Sequence, residues 1–239
     1  PSFCPRGAVP QRGFRAKAVR SVIAIIDYQA GNLRSVELAF ARVGARAVIT
    51  GDPAVIAAAD GAVLPGVGAF GDAMDALRRS GLIPAIRAFA GSGRPFLGIC
   101  LGLQLLFAGS EECQGAAGLG ILPGKILKIP EHPGLKIPHM GWNKIVINNN
   151  DDIISGLSGD NFLYYVHSFM ACEYMDENLI AYSNYGGVKV PGIVRKDNVI
   201  GMQFHPEKSG ETGLNLLKKF GRPRCGRWST PRRAPCVCA

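Results

Sequence analysis

Long apolar runs are missing from this chain of 239 residues. Stretches such as Val22–Ile26 are far too short to cross a bilayer, which needs about 20 apolar residues in a helix. Acidic side chains are missing from both ends. Residues 1–20 carry five basic groups and no acid, and residues 221–239 carry five arginines and no acid. The first end also lacks the apolar core of a secretory signal; an Arg-rich, acid-free start resembles an organelle transit peptide or a reading-frame artefact. Cysteine is sparse. Of seven, only Cys100, Cys113 and Cys172 lie between residues 21 and 220, an odd set that excludes a disulfide framework and fits a reduced compartment. Cys225, Cys236 and Cys238 lack a fourth ligand at zinc spacing, so no metal site is expected.

The net charge of +9 suggests a polyanion partner only when taken whole. Ten of the 27 Lys and Arg residues sit in the two ends, leaving 17 against 18 acids in the central 200 residues. That body is near neutral and long enough for one large core. The expected organisation is a basic disordered tail over 1–20, one domain over 21–220, and a basic Cys-containing disordered tail over 221–239. Neither nucleic acid nor membrane is expected as a partner.

In the first half of the body, short apolar runs alternate with amphipathic segments. Residues 22–27, 45–49, 61–65 and 95–99 read as strands, and 33–43, 53–58, 72–90 and 101–108 as helices. Continuous apolar strands between helices imply an open, mostly parallel α/β sheet with helices on both faces. The second half has strand-like runs at 125–129, 143–147, 162–166, 179–183, 190–194 and 199–204, joined by short turns. They predict antiparallel additions, closed by a last helix over 209–220 with Leu214, Leu217 and Phe220 inward.

Sites in such sheets lie at the carboxyl ends of strands. Gly98-Ile99-Cys100-Leu101-Gly102 stands there, directly before a helix. This is the nucleophile-elbow pattern with Cys in place of Ser. The turn is sharp enough that a Cβ at Gly98 or Gly102 would strike backbone, and it presents Cys100 to a helix N-terminus that favours thiolate. A buried cysteine with incidental glycines fits the pentapeptide as well. A second strand end carries Gln203-Phe204-His205-Pro206-Glu207. In extended chain, positions i and i+2 point the same way, so Glu207 can orient the His205 imidazole as a triad acid does. A third, Pro65-Gly66-Val67-Gly68-Ala69-Phe70, has small residues that let backbone N–H groups approach a ligand, as an oxyanion hole requires; a plain strand-to-helix turn fits it too.

Together, GICLG, FHPE and PGVG resemble the class I (triad) glutamine amidotransferases. The order Cys, His, Glu along the chain matches them and not the α/β-hydrolases. Within that family, DYQAGN (27–32), PGVGAF, KIPHMGWN (136–143), YYVHSF (164–169) and FHPEKSG (204–210) resemble the HisH-type glutaminase subunit of imidazole glycerol phosphate synthase over residues 22–220. The family usually has a glycine, or Gly-Pro, where this chain has Gln29-Ala30.

The resemblance implies a flavodoxin-like α/β fold, a Cys100 nucleophile, a His205 base and a Glu207 that orients it. It also implies that Gly66, Gly68, Gln104, Ser168 and Phe169 bind glutamine, and that Ala30 and Lys208 face the partner near an ammonia gate. The implied partner is a HisF-type (β/α)8-barrel cyclase in a heterodimer, with no cofactor, in the cytoplasm (or a plastid, if residues 1–20 are a transit-peptide remnant). The implied chemistry is glutamine hydrolysis with ammonia passed to the cyclase, which makes imidazole glycerol phosphate and AICAR for histidine. The competing readings are a glutaminase subunit of pyridoxal phosphate, anthranilate or GMP synthesis, and a DJ-1/PfpI-like cysteine hydrolase.

Overall fold

A computed structural model describes residues 21–29, 31–131, 133–157 and 160–222. The expected basic tails, apart from Gly221 and Arg222, lie outside the described residues, as does Ala30.

The first half of the chain winds strand and helix alternately: β1 (Val22–Ile26), α1 (Leu33–Arg42), β2 (Arg46–Thr50), α2 (Pro53–Ala58), β3 (Gly61–Gly66), α3 (Phe70–Ser80), α4 (Ile83–Ala90), β4 (Phe96–Cys100) and α5 (Leu101–Leu105). The second half supplies β5 (Lys125–Lys128), β6 (His139–Ile147), β7 (Phe162–His167), β8 (Phe169–Cys172), β9 (Leu179–Tyr185), β10 (Val188–Lys196), β11 (Val199–Met202) and α6 (Gly210–Phe220). Nine strands form one sheet in the order β2-β1-β3-β4-β11-β10-β9-β6-β7, and β5 pairs with β8. The first five of the nine are mutually parallel, and the remaining pairings are antiparallel. The mostly parallel sheet with an antiparallel extension is the expected architecture.

Period-2 alternation divides the strand side chains between two apolar layers. On β1, Ala24 and Ile26 pack with Leu64, Phe70 and Leu77, while Ile23 and Ile25 pack with Phe40, Leu217 and Phe220 of α1 and α6. Helices therefore cover both faces. On β10, Arg195 lies buried and gives Asp151 two hydrogen bonds of 2.8 and 2.7 Å.

Three local expectations need correction. The helix after Cys100 stops at Leu105 instead of 108, because the carbonyls of Leu105, Leu106, Phe107 and Ala108 accept N–H groups from residues 118–122. The strand β8 was not expected from sequence, nor was the start of β6 at His139. On α6, Leu216 is fully buried beside Leu217 and Phe220, whereas Leu214 is only half-buried.

Candidate active site

Adjacent parallel strands bring three carboxyl ends together. In register, Gly66 of β3 lies opposite Cys100 of β4, and Met202 of β11 lies opposite Ile99. The three motifs at strand ends are thus neighbours in space.

Cys100 sits at φ 54°, ψ −112°, outside the regions that L-residues ordinarily occupy. The turn holds because its flanks are glycine. A Cβ on Gly102 would lie 1.8 Å from the Leu64 carbonyl oxygen, and one on Gly98 would lie 2.8 Å from Gly102 O and Leu103 N. Local strain of this kind collects at functional sites. Cys100 itself is almost fully buried.

The His205 imidazole stands close enough to the Cys100 sulfur for the two to interact, and its Nδ1 lies 2.8 Å from Glu207 Oε1. Both the His205 and Glu207 side chains are closed to solvent. Burial pulls the His205 pKa down, but the interactions with Cys100 and Glu207 and their charges outweigh it and push it up to about 9. For Glu207, burial favours the neutral acid, yet the bonds from His205 and from Asn32 Nδ2 (2.7 Å) hold its carboxyl below the ordinary carboxylate value. The three side chains stand in line, an arrangement with the chemistry to serve as nucleophile, base and orienting acid.

A cavity of about 320 Å³ opens on Cys100 and His205. Gly68, Gln104, Ser168 and Phe169 line it, and so do Val67 and Glu112. Gly68 has φ 95°. Gly66 does not line it. It lies beneath, where a Cβ would meet Tyr28 Oη at 2.7 Å, so its place is to let β3 and α5 approach. Lys208 is exposed, one turn beyond His205.

Gln104 is more constrained than expected. Its amide nitrogen donates to Phe169 O (3.0 Å) and Gln203 Oε1 (3.2 Å), which leaves its Oε1 as the group not committed to these bonds. Gln203, fully buried, in turn directs Nε2 toward the Cys100 sulfur at 3.9 Å. His167 is a prop: its Nδ1–H donates to Phe169 O at 2.8 Å, so its Nε2 accepts from His139 Nδ1–H at 3.0 Å. Burial lowers the His167 pKa to about 3, so it is neutral. His139 is stacked between Tyr165 and Tyr185, at ring separations of 4.6 and 4.0 Å.

Sequence reasoning missed Gln203, Asn32 and Glu112 as site residues. Gln203 was within reach, because it stands two positions before His205 on extended chain. Glu112, the one carboxylate in the cavity wall, accepts a bond from Phe70 N at 2.9 Å across 42 residues, with no local signal. Among the described residues no three or more His, Cys, Asp or Glu side chains group as metal ligands, and no helix is long and apolar enough to cross a membrane.

The family model for glutamine amidotransferase class-I matches residues 24–222. The chain belongs to this family. The amidotransferase is 49% identical over 199 residues to the imidazole glycerol phosphate synthase subunit HisH of Bacillus cereus (strain G9842), covering 83% of this chain and 93% of that one. To the subunit HisH of Methanothermobacter thermautotrophicus it is 47% identical over 199 residues, covering 83% and 97%. Among solved structures it is similar to PurLQS from Thermotoga maritima, with a TM-score of 0.68 at 21% identity over 84% of this chain and 98% of that one. A GMP synthase subunit from Thermoplasma acidophilum gives a TM-score of 0.62 at 19% identity over 86% and 94%. The amidotransferase therefore has the class I fold and is an enzyme.

Proposed function

We infer that this amidotransferase is the glutaminase subunit of imidazole glycerol phosphate synthase. It hydrolyses glutamine and passes the ammonia to a cyclase subunit in histidine biosynthesis. The observation that carries the reading is the buried Cys100–His205–Glu207 line at the floor of a cavity of about 320 Å³. Near-half identity to HisH subunits over 199 residues supports the choice of synthase over the other amidotransferases.

The geometry supports the following roles. The Cys100 sulfur attacks the glutamine Cδ, and the carbonyl π electrons move to oxygen. Backbone N–H groups near Gly68 and at Leu101, the first residue of α5, stabilise that oxyanion; removing one such donor costs about 3 kcal/mol in the transition state. His205 gives its proton to the amide nitrogen, the C–N bond breaks, and ammonia leaves a γ-glutamyl thioester on Cys100. His205 then takes a proton from water, whose oxygen attacks the thioester and releases glutamate. Glu112 would hold the substrate α-ammonium, while Gln104, Ser168 and Phe169 bound the chain of the substrate.

The domain is read as residues 21–220, working in the cytoplasm. The partner is read as a (β/α)8-barrel cyclase forming a heterodimer. Its docking face would include the apolar side chains at the cavity mouth: Val67 in the wall, Met140 opposite Val166, and Trp142 against Tyr164, all more than 40% exposed except Val166 and Tyr164. Lys208 would lie near this face. Glutamate release should be low for the chain alone and rise when a HisF-type cyclase and its substrate are added. Hydrolysis unaffected by any cyclase contradicts the synthase reading.

A further inference from the structure

Asn32 stands where a helix N-cap is expected, immediately before α1, and asparagine is among the best N-cap residues. Its side chain makes no capping bond. Its backbone lies at φ 73°, ψ 5°, the left-handed region that asparagine tolerates better than most residues but not without cost. The amide instead reaches across 175 residues of sequence to Glu207 Oε1, at 2.7 Å. That same oxygen accepts from His205 Nδ1 at 2.8 Å, while Glu207 Oε2 is buried with no hydrogen-bond partner. The carboxylate is thus held through one oxygen by two donors, and only one of them belongs to the triad.

We propose that Asn32 is a positioning residue of the catalytic apparatus, its amide spent on fixing the Glu207 carboxylate that orients His205. The inference rests on the glutaminase reading of Cys100, His205 and Glu207. A neutral donor suits the place. It stabilises the buried carboxylate without adding a cation that would compete with the imidazolium for it. An uncapped, left-handed Asn also makes little sense as helix architecture, since a cap bond is worth about 1 kcal/mol.

The segment bearing Asn32 is tied to the oxyanion side as well. Tyr28 Oη donates to Pro65 O at 3.0 Å, and a Cβ on Gly31 would meet the Val67 side chain at 2.9 Å. Tyr28 and Gly31 therefore rest against β3 and the Val67 that follows it, and Asn32 rests on Glu207. Movement of that segment would disturb base and oxyanion donors together.

The test uses the full chain carrying Asn32→Ala, Asn32→Ser or Asn32→Asp, with Cys100→Ala as the control. Two quantities are read: kcat and KM for glutamine hydrolysis with a HisF-type cyclase, and the pH dependence of Cys100 alkylation by iodoacetamide, resolved by peptide mapping. Loss of one hydrogen bond to a buried carboxylate should lower kcat by roughly 10- to 100-fold in Asn32→Ala with KM within about threefold. The acid limb of the alkylation profile should move up by about one pH unit. Asn32→Asp should move it further, because two carboxylates in contact cannot both ionise easily. Asn32→Ser, which keeps a donor, should recover part of the rate.

A merely structural role would change the unfolding midpoint and leave the acid limb in place. An unmoved limb in Asn32→Asp overturns the proposal, whether or not Asn32→Ala folds, and so does a loss confined to KM. If Cys100→Ala still hydrolyses glutamine, the glutaminase reading fails instead.

Discussion

Gly102→Ala adds one methyl group at the turn that presents Cys100, and its effect can be worked from contacts. The new Cβ would lie 1.8 Å from the Leu64 carbonyl oxygen and 2.8 Å from its carbon. Ordinary contact begins near 3.4 Å, so β3 and α5 must separate by about 1.6 Å. The obstruction is backbone against backbone, and no rotamer relieves it. Excess volume in a packed core costs about 1–3 kcal/mol and occasionally more, and this site belongs at the upper end. The functional cost should be larger than the stability cost. Leu64 lies two residues before Gly66, whose register partner is Cys100. Parting β3 from α5, which begins directly after Cys100, separates the nucleophile from the Gly66–Gly68 backbone, and a misplacement of about 1 Å can cost 10²-fold in rate. Urea unfolding and glutamate release with a cyclase present measure the two effects. Gly91→Ala is the matched control, since its Cβ would meet Arg87 O at an ordinary 3.4 Å in right-handed backbone. Gly102→Ala with wild-type stability and turnover would refute the close-approach argument for the elbow.

Two further predictions concern stability. Arg195→Met strands Asp151 in the interior without its bidentate partner and should cost about 3–5 kcal/mol in denaturant unfolding; a loss under 1 kcal/mol, a boundary set by what about one ordinary exposed pair is worth, would contradict the pairing. The His205 pKa of about 9 stands above its unfolded value of about 6.5. The resulting stabilisation is fully present below pH ~6.5 and is lost as pH rises through 9, because the unfolded chain releases the proton first. Unfolding free energy should therefore fall across this window in the wild type and fall less in His205→Asn; parallel profiles would show that the imidazole is not held protonated.

What the sequence reveals of the site is what local geometry controls. The elbow is legible because Gly98 and Gly102 answer a steric need within five residues. His205 and Glu207 are legible because an extended chain turns alternate residues to one side. The same argument reaches Gln203, which polar character alone did not single out. Asn32 directly precedes the helix expected over 33–43, and only a contact 175 residues away shows its side chain engaged with Glu207. The pairing of His139 with His167 depends on the antiparallel register of β6 and β7, in which they stand directly opposite. The early end of α5 depends on a return strand of backbone, residues 118–122, that takes its last carbonyls. Periodicity found the parallel half of the sheet readily, since its strands are buried on both faces. It left β8 unseen, because four residues following directly on β7 give no separate pattern.

The central claim is that the sulfur of Cys100 is the nucleophile for glutamine hydrolysis. Glutamate released from glutamine by wild type and Cys100→Ala, each saturated with a HisF-type cyclase and its substrate, tests it directly, with ammonium supplied in a parallel reaction. The account predicts no glutamine-dependent release from Cys100→Ala, while the ammonium-supplied reaction of the complex continues at the wild-type rate. Glutamate release by Cys100→Ala near the wild-type rate would contradict it.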